Sequence, residues 1–108
     1  MIRPNEMNTM SNSPLLNTSL DPANPGWSID TFGETLPMST YLINYVVSNF
    51  EKKTKQTAVK NITIEVAGRP EAIRNGDADF GLDEAAKIID FFSDYFNTPY
   101  PLSKSSIF

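Results

Sequence analysis

Cysteine and histidine are both missing from this sequence of 108 residues. Without cysteine there is no disulfide, no thiol nucleophile and no thiolate metal ligand, so the redox compartment cannot be read from cysteine usage. Without histidine the chain loses the nitrogen donors that zinc usually takes, and any Ser-His or Cys-His pair that could activate a nucleophile. No apolar run has the length that crosses a bilayer, and the first residues lack the basic-then-apolar pattern of a signal peptide. The expectation is a chain that, as written, neither inserts nor is exported. Lysine and arginine number 9 against 13 acidic residues, a net charge of −4 that disfavours nucleic acid and anionic membrane as partners. The one short basic run, EKKTKQTAVK at 51–60, reads as a solvated hairpin loop.

At 40% apolar and 11% aromatic, the chain can bury a single modest core: one domain, or a piece of one. With imidazole and thiol excluded, carboxylates are the remaining candidates for chemistry. Asp77, Asp79, Asp83, Glu84, Asp90 and Asp94 cluster around the start and outer face of a predicted terminal helix. Helix electrostatics explains them better than a catalytic carboxylate pair or a calcium site, because acidic groups near a helix N-terminus complement its dipole.

The first 37 residues are rich in Asn, Ser, Thr and Pro. A short extended segment is predicted at 7–11, and NSPLLNTSLDPANPG reads as an irregular loop. WSIDTFGE at 27–34 follows, with Trp27, Ile29 and Phe32 as the expected buried positions. MSTYLINYVVSNF at 38–50 is dense in β-branched and aromatic residues, with Tyr41, Ile43, Tyr45 and Val47 on one face and Leu42 and Val46 on the other, and predicts a strand buried on both sides. VKNITIEVA at 59–67 alternates Ile62, Ile64 and Val66 with Thr63 and Glu65, the pattern of a half-exposed strand. The character changes at Gly68: GRPEAIRNGDADF predicts a boundary with a helical turn at 70–74. Beyond it Ala85, Ile88, Ile89, Phe92, Tyr95 and Phe96 form a helical stripe opposite Asp83, Lys87, Asp90 and Asp94, ending near Asn97 and Pro99. These elements predict an α+β fold, an antiparallel β meander followed by one helix, with more apolar surface than the chain can cover.

PMSTYLINYVVSNFEK, followed by ITIEVAGRPEAIRNGDADFGLDEAAKIIDFFSDYFNTPYPLSKS, resembles the zinc metallo-aminopeptidases of the aminopeptidase N type, the gluzincins. In that family a K-M-S-T-Y-L strand precedes an A-R-P-E-A-I boundary, a helix ending in D-F-F-x-x-Y-F and the turn Y-P-L-P-K. MNTMSNSP and DPANPGWSIDTFGETLPMSTYL fit the preceding A-L-S-N-M and D-P-N-W strands, so the resemblance runs from about Asn5 to Ser105. Leu36, Asn44, Gly68 and Ser103 depart from the pattern, and Ile107 and Phe108 read as foreign to it.

The resemblance implies that residues 1–67 are the C-terminal part of an N-terminal β domain, 68–79 a boundary linker and 80–108 the start of a thermolysin-like catalytic domain. It implies a parent that removes N-terminal residues from peptides with a zinc-activated water, at the plasma membrane or outside the cell; no location is implied for this chain by itself. The family's substrate-holding G-A-M-E-N and its H-E-x-x-H motif, which supplies zinc ligands and the general base, match nothing here. No catalytic, substrate-binding or metal residue is therefore assigned, no cofactor is expected in this chain, and inactivity alone is the expectation. Two further readings stay open: a non-catalytic β-rich interaction module whose partners are full-length aminopeptidase subunits or other proteins, and a small acidic adaptor domain. Two N-glycosylation sequons stand at Asn17-Thr-Ser and Asn61-Ile-Thr, to be weighed against chance in a chain rich in these residues.

Overall fold

The computed structural model describes residues 1–108. Eight strands in antiparallel and mixed sheets, with one long helix, make the fold α+β. The chain forms two compact units, Met1–Phe50 and Glu51–Phe108.

In the first unit, β1 (Ile2–Pro4), β4 (Trp27–Phe32) and β3 (Leu15–Leu20) form an antiparallel sheet with β4 in the centre. A separate ribbon pairs β2 (Asn8–Ser11) with β5 (Tyr45–Ser48). β3 lies in the segment read as irregular loop. Its Asn-Thr-Ser sequence hides the strand, which forms because β4 offers a full antiparallel edge from Leu20↔Ser28 to Asn17↔Thr31, with a bulge before Asn17. The intervening loop is closed by Asp21, whose carboxylate accepts from the Ala23 amide at 2.9 Å and Asn24 Nδ2 at 2.8 Å, and by Gly26 at φ 86°.

Alternation along β4 holds, but the buried face is the polar one. Asp30 is 1% exposed and Ser28 is also buried, while Trp27 is 42% exposed and Ile29 and Phe32 are half-buried. The cause is a cluster around Asp30. Arg3 Nε donates to Oδ2 at 2.5 Å and Arg3 Nη2 to Oδ1 at 3.3 Å; Thr18 Oγ1 donates to Oδ1 at 2.7 Å, and Thr9 of β2 donates to Oδ2. Met10, 2% exposed, is the apolar core residue of this unit.

The strand expected over 38–50 and buried on both sides is shorter and wetter. Thr40–Leu42 form a 3-10 turn capped by Ser39, only Tyr45–Ser48 pair, and Tyr41 is 93% exposed. β2 is the one strand paired with it, and Asn12 interrupts further pairing by donating to the Leu42 carbonyl and accepting from the Asn44 amide.

The second unit orders its strands β6-β7-β8: β6 (Glu51–Gln56) antiparallel to β7 (Thr63–Gly68), and β7 parallel to β8 (Lys104–Ile107). The basic run is therefore strand β6 rather than loop; the turn is Thr57–Asn61, closed by the Thr57 amide on the Ile62 carbonyl at 2.9 Å, with Asn61 at φ 54°. Lys53 and Lys55, opposite Val66 and Ile64, reach carboxylates on a helix above, which is why a lysine-rich segment is stable as a strand. α1 (Pro70–Asn75) begins on Pro70 and ends on Gly76 at φ 85°, as a proline start and glycine stop predict. α2 (Asp79–Tyr95) follows, and with β7 and β8 the two helices complete a parallel crossover.

Ile62, Ile64, Leu82 and Ala86 form the core between α2 and the sheet, with Val66, Ala85, Ile89 and Tyr100 packed on it. The helix thus buries a face turned away from the expected stripe: Ala85 and Ile89 belong to it, whereas Ile88, Phe92, Tyr95 and Phe96 are exposed. Small side chains let the helix sit close to the sheet, and bulky aromatics on that face would hold it off. Glu65, on the strand face expected to be open, is 3% exposed. Lys52 Nζ lies 3.2 Å from Oε2, and Lys104 Nζ and Ser106 Oγ donate to Oε1 at 3.5 and 3.2 Å. Ile107, which the sequence pattern set apart, is part of β8 and pairs with Val66.

Asp30→Asn leaves the half-buried Arg3 and the hydroxyls of Thr9 and Thr18 facing a neutral group, so the first unit should lose about 2–3 kcal/mol, at or below the low end of the range for breaking a fully buried pair. Burial alone raises the Asp30 pKa; the bonds from Arg3, Thr9 and Thr18, with the Arg3 charge, outweigh it and hold the group at about 2, below its ordinary 3.8. The stabilisation is present above pH about 4 and lost as pH falls from there through about 2. Fluorescence of Trp27, the single tryptophan, followed in urea and in acid, checks both.

Candidate functional site

The carboxylates singled out in the sequence do not converge. Asp79 pairs with Lys53, Asp83 with Lys55 at 2.6 Å, Glu84 with Lys87 at 2.7 Å and Asp94 with Lys60 at 3.7 Å, while Asp90 Oδ2 accepts from the Val59 amide at 3.2 Å. The bond and charge of Lys55 lower the Asp83 pKa, which keeps the carboxylate ionised. Each of these acids meets a different cation or amide: Asp79, Asp83, Asp90 and Asp94 fasten β6 and the turn to the helix, while Glu84 pairs within α2. Asp77, in the turn before α2, is exposed.

The chain holds neither imidazole nor thiolate, and of its clustered carboxylates Asp79, Asp83, Glu84 and Asp94 are each engaged by a separate lysine. The residues present do not fit a zinc ion.

The other concave feature is apolar. Ile88, Ile89, Phe92 and Phe96 of the last turns of α2 face Pro99, Tyr100 and Pro101 across a groove of about 510 Å³. Its shape follows from the local sequence: Asn97 at φ 49° turns the chain, the Thr98 amide donates to the Ser93 carbonyl at 3.0 Å, and the prolines hold the returning segment extended alongside the helix. Phe92 stacks on Phe96 at 5.6 Å and Phe91 on Tyr95 at 5.8 Å, a ridge of aromatic rings along the exposed face. Its lining is mostly apolar; of its hydroxyls, Ser93 Oγ donates to the Ile89 carbonyl at 2.7 Å and Thr98 Oγ1 to the Phe96 carbonyl at 3.2 Å, so the groove suits apolar groups.

Both sequon asparagines are exposed, Asn17 in β3 and Asn61 in the turn before β7. The buried charges Asp30 and Glu65 escaped the sequence reading. The signal for Glu65 was present, a carboxylate in a strand preceded by a lysine-rich strand, but Lys104 joins it only through the parallel return of β8.

No family model matches the chain. Individual proteins do, over nearly all of it. Aminopeptidase N of Oryctolagus cuniculus is 39% identical over 105 residues, which is 96% of this chain and 11% of that protein. Aminopeptidase N of Homo sapiens is 37% identical over 106 residues, 97% of this chain and 11% of that protein. The chain corresponds to a segment of an aminopeptidase N family member. The thyrotropin-releasing hormone-degrading ectoenzyme of Rattus norvegicus is more distant in coverage, 37% identical over 79 residues and 73% of the chain. The chain spans about a tenth of the length of the aminopeptidase N relatives it matches, 11%. Within that segment, the D-F-F-x-x-Y-F stretch supplies the exposed aromatic ridge, and the Y-P-L turn supplies the opposite wall of the groove.

The two faces of α2 make a direct test. Leu82→Ala should cost about 2–5 kcal/mol, whereas Phe92→Ser with Phe96→Ser should cost less than about 1 kcal/mol and reduce binding of an apolar dye. Helical circular dichroism in urea, with a dye titration, separates the two. A larger loss from the aromatic pair would reverse the assignment of the core face.

Proposed function

We propose that this chain is the structural junction of a zinc aminopeptidase: the end of its N-terminal β domain and the beginning of its thermolysin-like catalytic domain. The observation that carries this is the match along almost the entire chain to aminopeptidase N proteins, in a sequence with no histidine at all. The parent removes N-terminal residues from peptides at the plasma membrane or outside the cell, a reading supported by the aminopeptidase and ectoenzyme names of the relatives. In that parent the zinc and the base that activates water come from other residues; those of this chain build the sheet and helix on which such a site is mounted. The boundary read from the sequence, 68–79, falls inside the second compact unit, which begins at Glu51. We take the join of the two domains to lie near Phe50, because β7 shares a core with α2 and β6 is tied to the same helix through Lys53 and Lys55.

A second reading, a non-catalytic module that binds full-length aminopeptidase subunits, is favoured by one observation, the uncovered aromatic ridge of α2. Sedimentation of the chain mixed with a full-length aminopeptidase separates it from the first reading: co-migration that is lost in the Phe92→Ser, Phe96→Ser variant supports the module.

The purified chain should retain no stoichiometric zinc after dialysis and show no chelator-sensitive hydrolysis of an aminoacyl anilide. Elemental analysis and a chromogenic assay read both. Bound zinc together with chelator-sensitive turnover would overturn the assignment of a purely structural role.

A further inference from the structure

We propose that Asn17 is an N-glycan acceptor and that its glycan covers the outer face and open edge of the first unit's sheet. β3 is the edge strand of that sheet, and all six of its residues are exposed, Leu15, Leu16 and Leu20 among them. An exposed edge carrying apolar side chains is a template for strand addition by another chain. The register places Asn17 opposite Thr31 and Ser19 opposite Ile29, and Ile29 opposite Ile2, so Asn17 shares its face with Ile2, Ile29 and exposed Trp27. Thr18 points the other way, to Asp30. The face that carries the sequon therefore also carries Ile2, Trp27 and Ile29, while Leu15 and Leu20 of the edge strand pair with Phe32 and Ser28 on the face of Asp30.

Backbone demand does not account for this asparagine. Asn61, in the other sequon, occupies a left-handed turn where asparagine is one of the few side chains tolerated. Asn17 lies in extended strand, where asparagine is disfavoured. Its sequon is completed by Ser19, also exposed. In the modification, Asn17 Nδ2 attacks the anomeric carbon of a lipid-pyrophosphate-linked oligosaccharide. The carbon–nitrogen bond forms as the carbon–oxygen bond to pyrophosphate breaks; the lipid pyrophosphate leaves and the nitrogen gives up one proton. The product is bulky and solubilising, placed beside the edge that would otherwise recruit strands.

The proposal rests on the reading of a parent outside the cell or on its surface, and the test keeps the two apart. The full chain is expressed in secretory eukaryotic cells behind an added cleavable signal, with a control sequon in a flexible tag. Glycans are then released enzymatically in heavy-oxygen water, which marks each occupied asparagine for mass spectrometry. Asn17 should be marked; Asn17→Gln and Ser19→Ala should each abolish the mark and reduce soluble secreted protein severalfold, while Asn61→Gln leaves the Asn17 mark in place. An occupied control tag with Asn17 bare overturns the proposal, as does an occupied Asn17 whose loss in both variants leaves secretion and solubility unchanged. Asn17 marked in the signal-bearing chain but bare in the chain from its native cells supports the acceptor site and sinks the location reading instead.

Discussion

Cover for apolar surface is the constraint on which the rest of this structure depends. The sheet of the second unit has a single long helix to lie on it, the 17 residues of α2, and that helix turns its small side chains downward to approach closely. Leu82 is the one large side chain of α2 fully buried there, and the helix's aromatic rings are left outside as a consequence. The sheet of the first unit has no helix and meets the constraint differently, by burying polar groups that satisfy one another and leaving its apolar side chains in partial contact with water.

In both units a buried carboxylate does what a larger core would do elsewhere. Asp30 ties β1, β2, β3 and β4 together through Arg3, Thr9 and Thr18, a fourfold junction made by one side chain. Glu65 ties β6, β7 and β8 through Lys52, Lys104 and Ser106. Such groups are costly to bury and weak as sources of net stability, but their bonds are directional. They fix which strands neighbour which in a chain whose apolar residues alone would accept several arrangements.

What could be read in the sequence follows from the range of the interactions. The strand read at 59–67, the helical turn at 70–74 and the long helix after the boundary are announced by local patterns and came through within a few residues, as Thr63–Gly68, Pro70–Asn75 and Asp79–Tyr95. β3 and β6 did not, because Asn-Thr-Ser and Lys-Lys-Thr-Lys carry no strand signal until their partners supply β4's open edge and the carboxylates of α2. The face of α2 was misjudged because aromatic bulk reads as core when a sheet that favours alanine is not yet in view. The motifs this segment shares with the aminopeptidase N family were legible despite departures at Leu36, Asn44, Gly68 and Ser103, since they depend on identity and order and not on geometry.

The parallel pairing of β7 with β8 has a consequence for the order in which the second unit forms. The hairpin β6–β7 joins neighbours in sequence, and α2 can settle on it through contacts of moderate separation. β8 must wait for both helices, because Thr63 pairs with Lys104 across the entire crossover. Closing so long a loop is entropically slow. On a ribosome, Lys104 and Ser106 emerge well after Lys52 and Glu65, so that carboxylate spends the interval partly unpaired, and the sheet edge of β7 stays open until β8 arrives.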